Sequence, residues 1–145
     1  MRLTLAALTL VCGGCIMGAG YSTRDRVTQA AREYNDDIRW GRYELAKKHV
    51  PSDVRKTFVD RHKALDDDLE IADYEMIALE IDKSDKKKTK VTAQVEYTWS
   101  LKRRGLVERT STQQFWEEHD GEWVMAREER VKGAPLTLFD EPQGE

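Results

Sequence analysis

Residues 91–102 read VTAQVEYTWSLK. Val91, Ala93, Val95, Tyr97, Trp99 and Leu101 alternate without a break against Thr92, Gln94, Glu96, Thr98, Ser100 and Lys102, the two-residue period of a strand with one buried face. Upstream, Asp82 to Thr89 (DKSDKKKT) predicts a charged hairpin loop. Before it, Ile77, Leu79 and Ile81 alternate against Met76, Ala78 and Glu80, which predicts an earlier strand. Downstream, Arg103, Arg104 and Gly105 turn the chain into a third strand, about Leu106 to Glu118. Asp120-Gly121, a favoured two-residue hairpin turn, then leads to a fourth with Trp123, Val124, Met125 and Ala126. Strands therefore follow strands with no helix between them. The third is rich in polar residues from Arg109 to Gln114, so one of its faces is solvated or lines a polar cavity. Its register stays open: a two-residue turn and a three-residue loop would set opposite faces of it against Tyr97 and Trp99.

Helices precede the strands. Ser22 with Asp25 three residues on is an N-capping pattern, and Val27, Ala30, Ala31, Tyr34 and Ile38 follow at three- and four-residue spacing. Trp40-Gly41 ends that helix. Tyr43, Ala46 and Val50 predict a short second helix, and Pro51 opens a third with the stripe Val54, Phe58, His62 and Leu65. The acidic turn Asp66, Asp67 and Asp68 closes the helical half. Helices first and an antiparallel meander afterwards define an α+β domain, with helix one across the apolar face of a four-stranded sheet. From Arg127 onward the alternation fades, so the domain is expected over 22–131 and a flexible tail over 132–145, loosely docked by Leu136, Leu138 and Phe139.

The chain has 145 residues with 35% charged side chains, a length that suits one domain with a single core. Four tryptophans, five tyrosines and three phenylalanines argue for a folded chain. A net charge of -3 gives no positive field to hold a polyanion, so nucleic acid is not expected as a partner.

Met1-Arg2 is a minimal positive start, and Leu3 to Val11 is a nine-residue run without charge, followed by Gly13-Gly14. Such a stretch is too short to span a bilayer, which takes about 20 apolar residues. Both cysteines, Cys12 and Cys15, stand at its end. Their spacing is also that of a redox or metal pair, but a zinc site needs two more ligands and the nearest histidine is His49. A cleaved signal with an incidental cysteine is the plain alternative. The segment resembles a bacterial lipoprotein signal, in which small residues precede a cysteine that is diacylated on sulfur and becomes the first residue after cleavage. Cys15, behind two glycines, matches that pattern better than Cys12 behind Val11. The resemblance implies a signal peptide over 1–14 and a lipidated Cys15 with a short spacer over 15–21. With Ile16 rather than Asp after the cysteine, it also implies the periplasmic face of the outer membrane for a Gram-negative source.

Sites for chemistry are sparse. His49, His62 and His119 share no metal-ligand spacing, and no phosphate loop, nucleophile elbow or dinucleotide fingerprint occurs, so neither metal nor cofactor is expected. His62 reads as a hydrogen-bonded residue on a helix face and His119 as a solvated neighbour of the turn. Adjacent acids such as Asp36-Asp37, Glu117-Glu118 and Glu128-Glu129 read as solvated surface. The lysines at 86–88 and 90 read as a charged hairpin tip, with contact to anionic headgroups as the functional alternative. The tryptophans and tyrosines read first as core. A meander crossed by helices commonly leaves a cavity, for which Tyr97, Trp99, Arg109 and Gln113 are the candidate lining residues.

The order of helices, acidic turn and meander, with RWGRY at 39–43 and DGEW at 120–123, resembles the nuclear transport factor 2-like (cystatin-like) superfamily over roughly residues 22 to 130. The resemblance implies a cone-like fold with a cavity between sheet and helices. It also implies a function among isomerases, dehydratases and noncatalytic binding domains. The enzymatic branches pair a cavity acid with a histidine or tyrosine, and the strands offer no inward acid beside a histidine. Glu96, the one mid-strand acid of the second strand, alternates away from the aromatic face. The expectation is therefore a noncatalytic binding or accessory domain, lipid-anchored at the cell envelope through Cys15, meeting an envelope protein or a small ligand. Two alternatives stand beside it: an isomerase or dehydratase using a cavity acid such as Glu96, and a structural envelope protein pairing through a sheet edge.

Overall fold

The computed structural model describes residues 21–85 and 89–136. The expected lipidation site Cys15, the expected signal segment and the lysines at 86–88 lie outside the described residues. Helix α1 spans Thr23–Arg39 and opens on a full capping box: Ser22 Oγ accepts from the Asp25 amide, and the Asp25 carboxylate accepts from the Ser22 amide. Its buried stripe is Val27, Ala30, Ala31, Tyr34 and Ile38, as the spacing predicts. Gly41, at φ +66°, lets the chain leave the helix in the left-handed region. Helix α2 (Tyr43–Ala46) runs into a single 3-10 turn (Lys47–His49), and α3 spans Arg55–Asp66. Pro51 begins the turn that leads into α3 rather than the helix itself, with the Val54 amide bonded to the Pro51 carbonyl. Among the described residues no helix is long and apolar enough to cross a membrane.

Four strands follow: β1 (Leu69–Asp82), β2 (Lys90–Leu101), β3 (Val107–His119) and β4 (Glu122–Gly133). They form one antiparallel sheet in the order β1-β2-β3-β4, so β1 and β4 are its edges. Val91, Ala93, Val95, Tyr97 and Trp99 of β2 are all buried beneath the helices. The β3–β4 turn is Asp120-Gly121, with φ +51° and +84°, the two positive angles that a type I′ hairpin turn demands.

The register left open by the sequence is now defined. Val91 faces Trp116, Ala93 faces Gln114, Val95 faces Thr112 and Tyr97 faces Thr110. The polar side chains of β3 therefore alternate into the core: Thr110, Thr112 and Gln114 are fully buried beside Trp116.

Bulges shift the phase of both edge strands. In β1 the pairing slips between Ile71 and Asp73 and again between Met76 and Ala78. The inward residues are thus Leu69 and Ile71, then Tyr74 and Met76, then Leu79 and Ile81. Ile77, which a continuous alternation groups with Leu79 and Ile81, points outward and is half exposed. In β4 the pairing slips between Met125, opposite Trp116, and Arg127, opposite Phe115. Ala126 is the extra residue, and from there even-numbered positions turn inward as far as Arg130, where a second slip at Val131 sets Gly133 opposite Thr110.

The fourth strand also runs further than the sequence suggests. Residues 132 and 133 belong to β4, and Leu136 is buried, so the tail expected over 132–145 does not begin at 132. Gly133, at φ +93°, packs so closely on β3 that a Cβ there would stand 2.2 Å from the Arg109 carbonyl oxygen. That backbone approach lets Ala134 donate to the same carbonyl and seats Leu136 in the core.

Candidate functional site

Beneath α1 the sheet carries a buried polar cluster contributed by four elements. From α1, Asn35 donates through Nδ2 to the Ala31 carbonyl at 2.7 Å, and its Oδ1 accepts from Gln114 Nε2 at 2.8 Å and from the Tyr97 hydroxyl. Gln114 Nε2 also lies 3.0 Å from the Tyr97 hydroxyl and 3.0 Å from Glu128 Oε1. Thr112 donates to the same carboxyl oxygen at 2.7 Å, and the Tyr97 hydroxyl lies 3.3 Å from it. Glu128 enters this cluster because the Ala126 bulge sets it opposite Gln114, on the inward face. The expectation that Glu128 is a solvated surface acid is corrected by that shift of phase: the residue is 9% exposed.

Burial is the main influence on this carboxyl and pushes its pKa up to about 7, although the bonds from Thr112, Gln114, Tyr97 and Tyr34 pull the other way. Its ionised form would in turn disfavour phenolate at Tyr34 and Tyr97, whose pKa values stand well above the ordinary value, chiefly through burial. The donors crowd onto Oε1. Oε2 is buried and has no hydrogen-bond partner among the described residues.

His62 is the second unusual group. Its ring lies between Phe58, 4.0 Å away between centroids, and Tyr43, at 5.1 Å. Burial holds its pKa down at about 4 despite the Phe58 carbonyl, so the imidazole is neutral at pH 7. Nδ1 stands 2.7 Å from that carbonyl, which can only accept, so Nδ1 carries the hydrogen and Nε2 is a bare acceptor. Nε2 too is buried without a partner among the described residues. The helix-face hydrogen bond expected of His62 is present, and the other ring nitrogen is left over.

Glu128 and His62 line one cleft of about 340 Å³ between α3 and β4. Tyr34 completes its polar end, and Val50, Pro51, Val54, Phe58 and Met125 make its walls apolar. A second cleft, about 320 Å³, lies between α1, the 3-10 turn and the start of β4. It is charged, and its cations are already matched: Arg26 pairs with Glu118, and Lys48 with Glu33 at 2.9 Å. His49 Nε2 stands 3.3 Å from Glu33 without a hydrogen bond, and Trp123 Nε1 is likewise buried with no hydrogen-bond partner among the described residues. The mixed apolar and polar cleft is the better candidate for a small molecule.

The residues proposed from sequence separate. Tyr97 enters the polar cluster, and Trp99 is buried nearby with its indole N–H donated to Thr110 Oγ1 at 2.9 Å. Arg109 and Gln113 project from the opposite face of the sheet, because β3 alternates Thr110, Thr112 and Gln114 inward. Arg109 is solvated there and reaches Glu96 at 3.5 Å. Glu96, the candidate cavity acid, shares that outer face and cannot serve the interior. The expectation that the strands carry no inward acid is likewise corrected at Glu128, which lines one cleft with His62 of α3. Sequence reasoning missed Glu128, Asn35 and Gln114. The available signal was the phase of Thr110, Thr112 and Gln114 with Trp116, which set a polar row on an aromatic-bearing face.

No protein-family model matches the sequence, and no curated protein matches it. Solved structures do resemble it. An NTF2-like protein from Cytophaga hutchinsonii superposes with a TM-score of 0.60 at 11% identity, over 77% of this chain and 98% of that one. A candidate Ca/calmodulin-dependent kinase II association domain from Exiguobacterium sibiricum gives a TM-score of 0.60 at 14% identity, over 82% and 100%. The fold of this chain is therefore NTF2-like, an α+β domain of three helices on a four-stranded antiparallel sheet. At these identities the likeness extends to the fold alone.

Proposed function

We propose that this is a noncatalytic binding or accessory domain of the cell envelope, held at the membrane by lipid on Cys15, whose ligand enters the cleft beside Glu128. The observation that carries the binding assignment is a cleft of about 340 Å³ that joins the buried acid Glu128 and the neutral imidazole of His62 to the apolar walls of Val50, Pro51, Val54, Phe58 and Met125. Small-molecule sites are mostly apolar with a few convergent polar groups, and this cleft has that make-up. Titration of a small-molecule fragment set into the labelled domain tests this. Shifts concentrated in the amides of Met125, Ala126, Arg127 and Glu128 are expected; hits that perturb only other surfaces would refute the assignment.

The anchor rests on the resemblance of Gly13, Gly14 and Cys15 to a lipoprotein signal, and two or three acyl chains at about 0.8 kcal/mol per buried methylene would hold the domain permanently. Intact mass spectrometry of membrane-fraction protein should show cleavage before Cys15 plus diacylglyceryl, with both the added mass and membrane retention lost in Cys15→Ala. An unmodified mass with identical fractionation of both forms would overturn the anchor. The enzymatic alternative moves from Glu96 to Glu128, because a carboxyl poised near pH 7 can take up and release a proton. Turnover abolished by Glu128→Gln with binding kept would favour it.

A further inference from the structure

We infer that the Tyr97 hydroxyl is a two-position switch that links the charge of Glu128 to the anchorage of α1. It donates to Asn35 while Glu128 holds a proton, and to Glu128 once that proton is lost. The inference concerns the buried cluster itself and holds with or without a ligand in the neighbouring cleft.

Fixed partners settle which way the two amides of the cluster face. Asn35 Nδ2 lies 2.7 Å from the Ala31 carbonyl, which can only accept, so the oxygen of that amide points toward Tyr97 and Gln114. Gln114 Oε1 lies 3.3 Å from Trp116 Nε1, which can only donate, so Gln114 presents its two hydrogens on the other side. Asn35 Oδ1, at 2.8 Å, takes one of them, and Glu128 Oε1 and the Tyr97 oxygen, both at 3.0 Å, compete for the other. Neither amide can turn over without setting donor against donor or acceptor against acceptor. The Tyr97 hydroxyl, by contrast, rotates freely about its C–O bond. Its one hydrogen has an acceptor on α1, Asn35 Oδ1, and another on β4, Glu128 Oε1, the latter 3.3 Å away.

The charge on Glu128 decides between them. As a neutral acid it is the weaker acceptor, and Tyr97 stays with Asn35, the closer of the two. Loss of the proton to solvent leaves a carboxylate, and hydrogen bonds to an ionised acceptor are about twice as strong as neutral ones. The Tyr97 hydrogen then turns to Glu128, with no covalent bond of the tyrosine broken. Asn35 Oδ1 keeps only Gln114, and the bond that ties Asn35 of α1 to β2 is gone.

The other groups around the cluster hold their charge near neutral pH. Tyr34 of α1, Tyr97 of β2 and Tyr74 of β1, which packs against Tyr97, all have pKa values above the ordinary tyrosine value. Across the cleft on α3, His62 is already neutral and Arg61 is permanently charged, as is Arg127 beside Glu128. Thr112 and Gln114 of β3 do not titrate. His49 borders the cluster, 6.1 Å from Trp116 between ring centroids, and burial holds its pKa below 6.5.

Carbon-13 spectra of the labelled full chain, followed from pH 5.5 to 8.5, test the switch. The carboxyl carbon of Glu128, Cζ of Tyr97 and Cγ of Asn35 are expected to shift together, with one midpoint near pH 7. Tyr97→Phe should abolish the Asn35 shift while Glu128 still titrates, at higher pH for want of a donor. Thr112→Val takes a donor from Glu128 without touching α1, so it should raise the midpoint and keep Asn35 in step with it. Glu128→Gln should leave Tyr97 and Asn35 level, which separates the switch from any response to His49 and serves alone should Tyr97→Phe fold poorly. A level Asn35 signal while Glu128 titrates, an Asn35 shift that survives in Tyr97→Phe or in Glu128→Gln, or no titration of Glu128 in this range overturns the inference.

Discussion

Urea unfolding followed between pH 4 and 8 should give opposite slopes in two single variants: stability of Glu128→Gln rises with pH up to about 6.5, and stability of His62→Phe falls with pH above about 4.5. The two groups are shifted in opposite directions. Glu128 has its pKa raised from 4.5 to about 7. Between those values the folded protein holds a proton that the unfolded chain has released, so its contribution is complete below pH 4.5 and is lost as pH rises through 7. His62 has its pKa lowered from 6.5 to about 4. Its contribution is complete above pH 6.5 and is lost as pH falls through 4, because the unfolded chain then binds the proton that the folded protein refuses.

Each slope is about 1.4 kcal/mol per pH unit, and over their shared window of pH 4.5 to 6.5 they cancel. The natural protein is thus nearly level there, and each variant exposes the slope of the group that remains. His49, also held low by burial, adds to the rising limb. Glu33 and Glu44, surface carboxylates held low by lysines, act only toward pH 4.5 and below. A level profile in Glu128→Gln would mean that His62 is solvated, and a level profile in His62→Phe combined with His49→Gln, which removes the opposing rise, would mean the same of Glu128.

Gln114→Leu should be the most damaging near-isosteric change in the domain, costing about 3–5 kcal/mol. Its amide sits fully buried at the centre of the cluster. Its Nε2, with two hydrogens, lies 2.8 Å from Asn35 Oδ1 and 3.0 Å from both the Tyr97 hydroxyl and Glu128 Oε1, and its Oε1 accepts from Asn35 Nδ2 at 3.2 Å and Trp116 Nε1 at 3.3 Å. Leucine fills the space but supplies neither donor nor acceptor, so several buried groups lose a partner at once. Adding Glu128→Leu removes one of the stranded groups, and the double variant should be more stable than the sum of the two single losses implies. Strict additivity in denaturant unfolding would show that these side chains do not act as a network.

Much of the architecture is local chemistry and was legible. The Ser22 and Asp25 capping box, the α1 stripe, the unbroken alternation of β2 and the Asp120-Gly121 turn are each decided within a few residues, and the structure has all of them. The site was not legible in the same way. Tyr97 was anticipated, but Arg109 and Gln113 went to the outer face because the β2–β3 register, a long-range pairing, decides which side of a polar strand turns inward. Glu128 stood next to Glu129 in a stretch where alternation had faded, and nothing in that pair distinguishes the buried acid from the exposed one.

By itself, then, the sequence determined the elements, their order and their turns, and with them an α+β meander beneath N-terminal helices. The tertiary structure alone decided the site. One extra residue at Ala126 moves Glu128 from the solvent face to the core face, since strand side chains alternate sides at every residue. Burial under α1 and against β3 then raises that carboxyl to about pH 7, while burial of His62 between aromatic rings lowers the imidazole to about 4. Neither shift is a property of glutamate or histidine as residue types. Both follow from removing a charge from water, which only the packed chain can do.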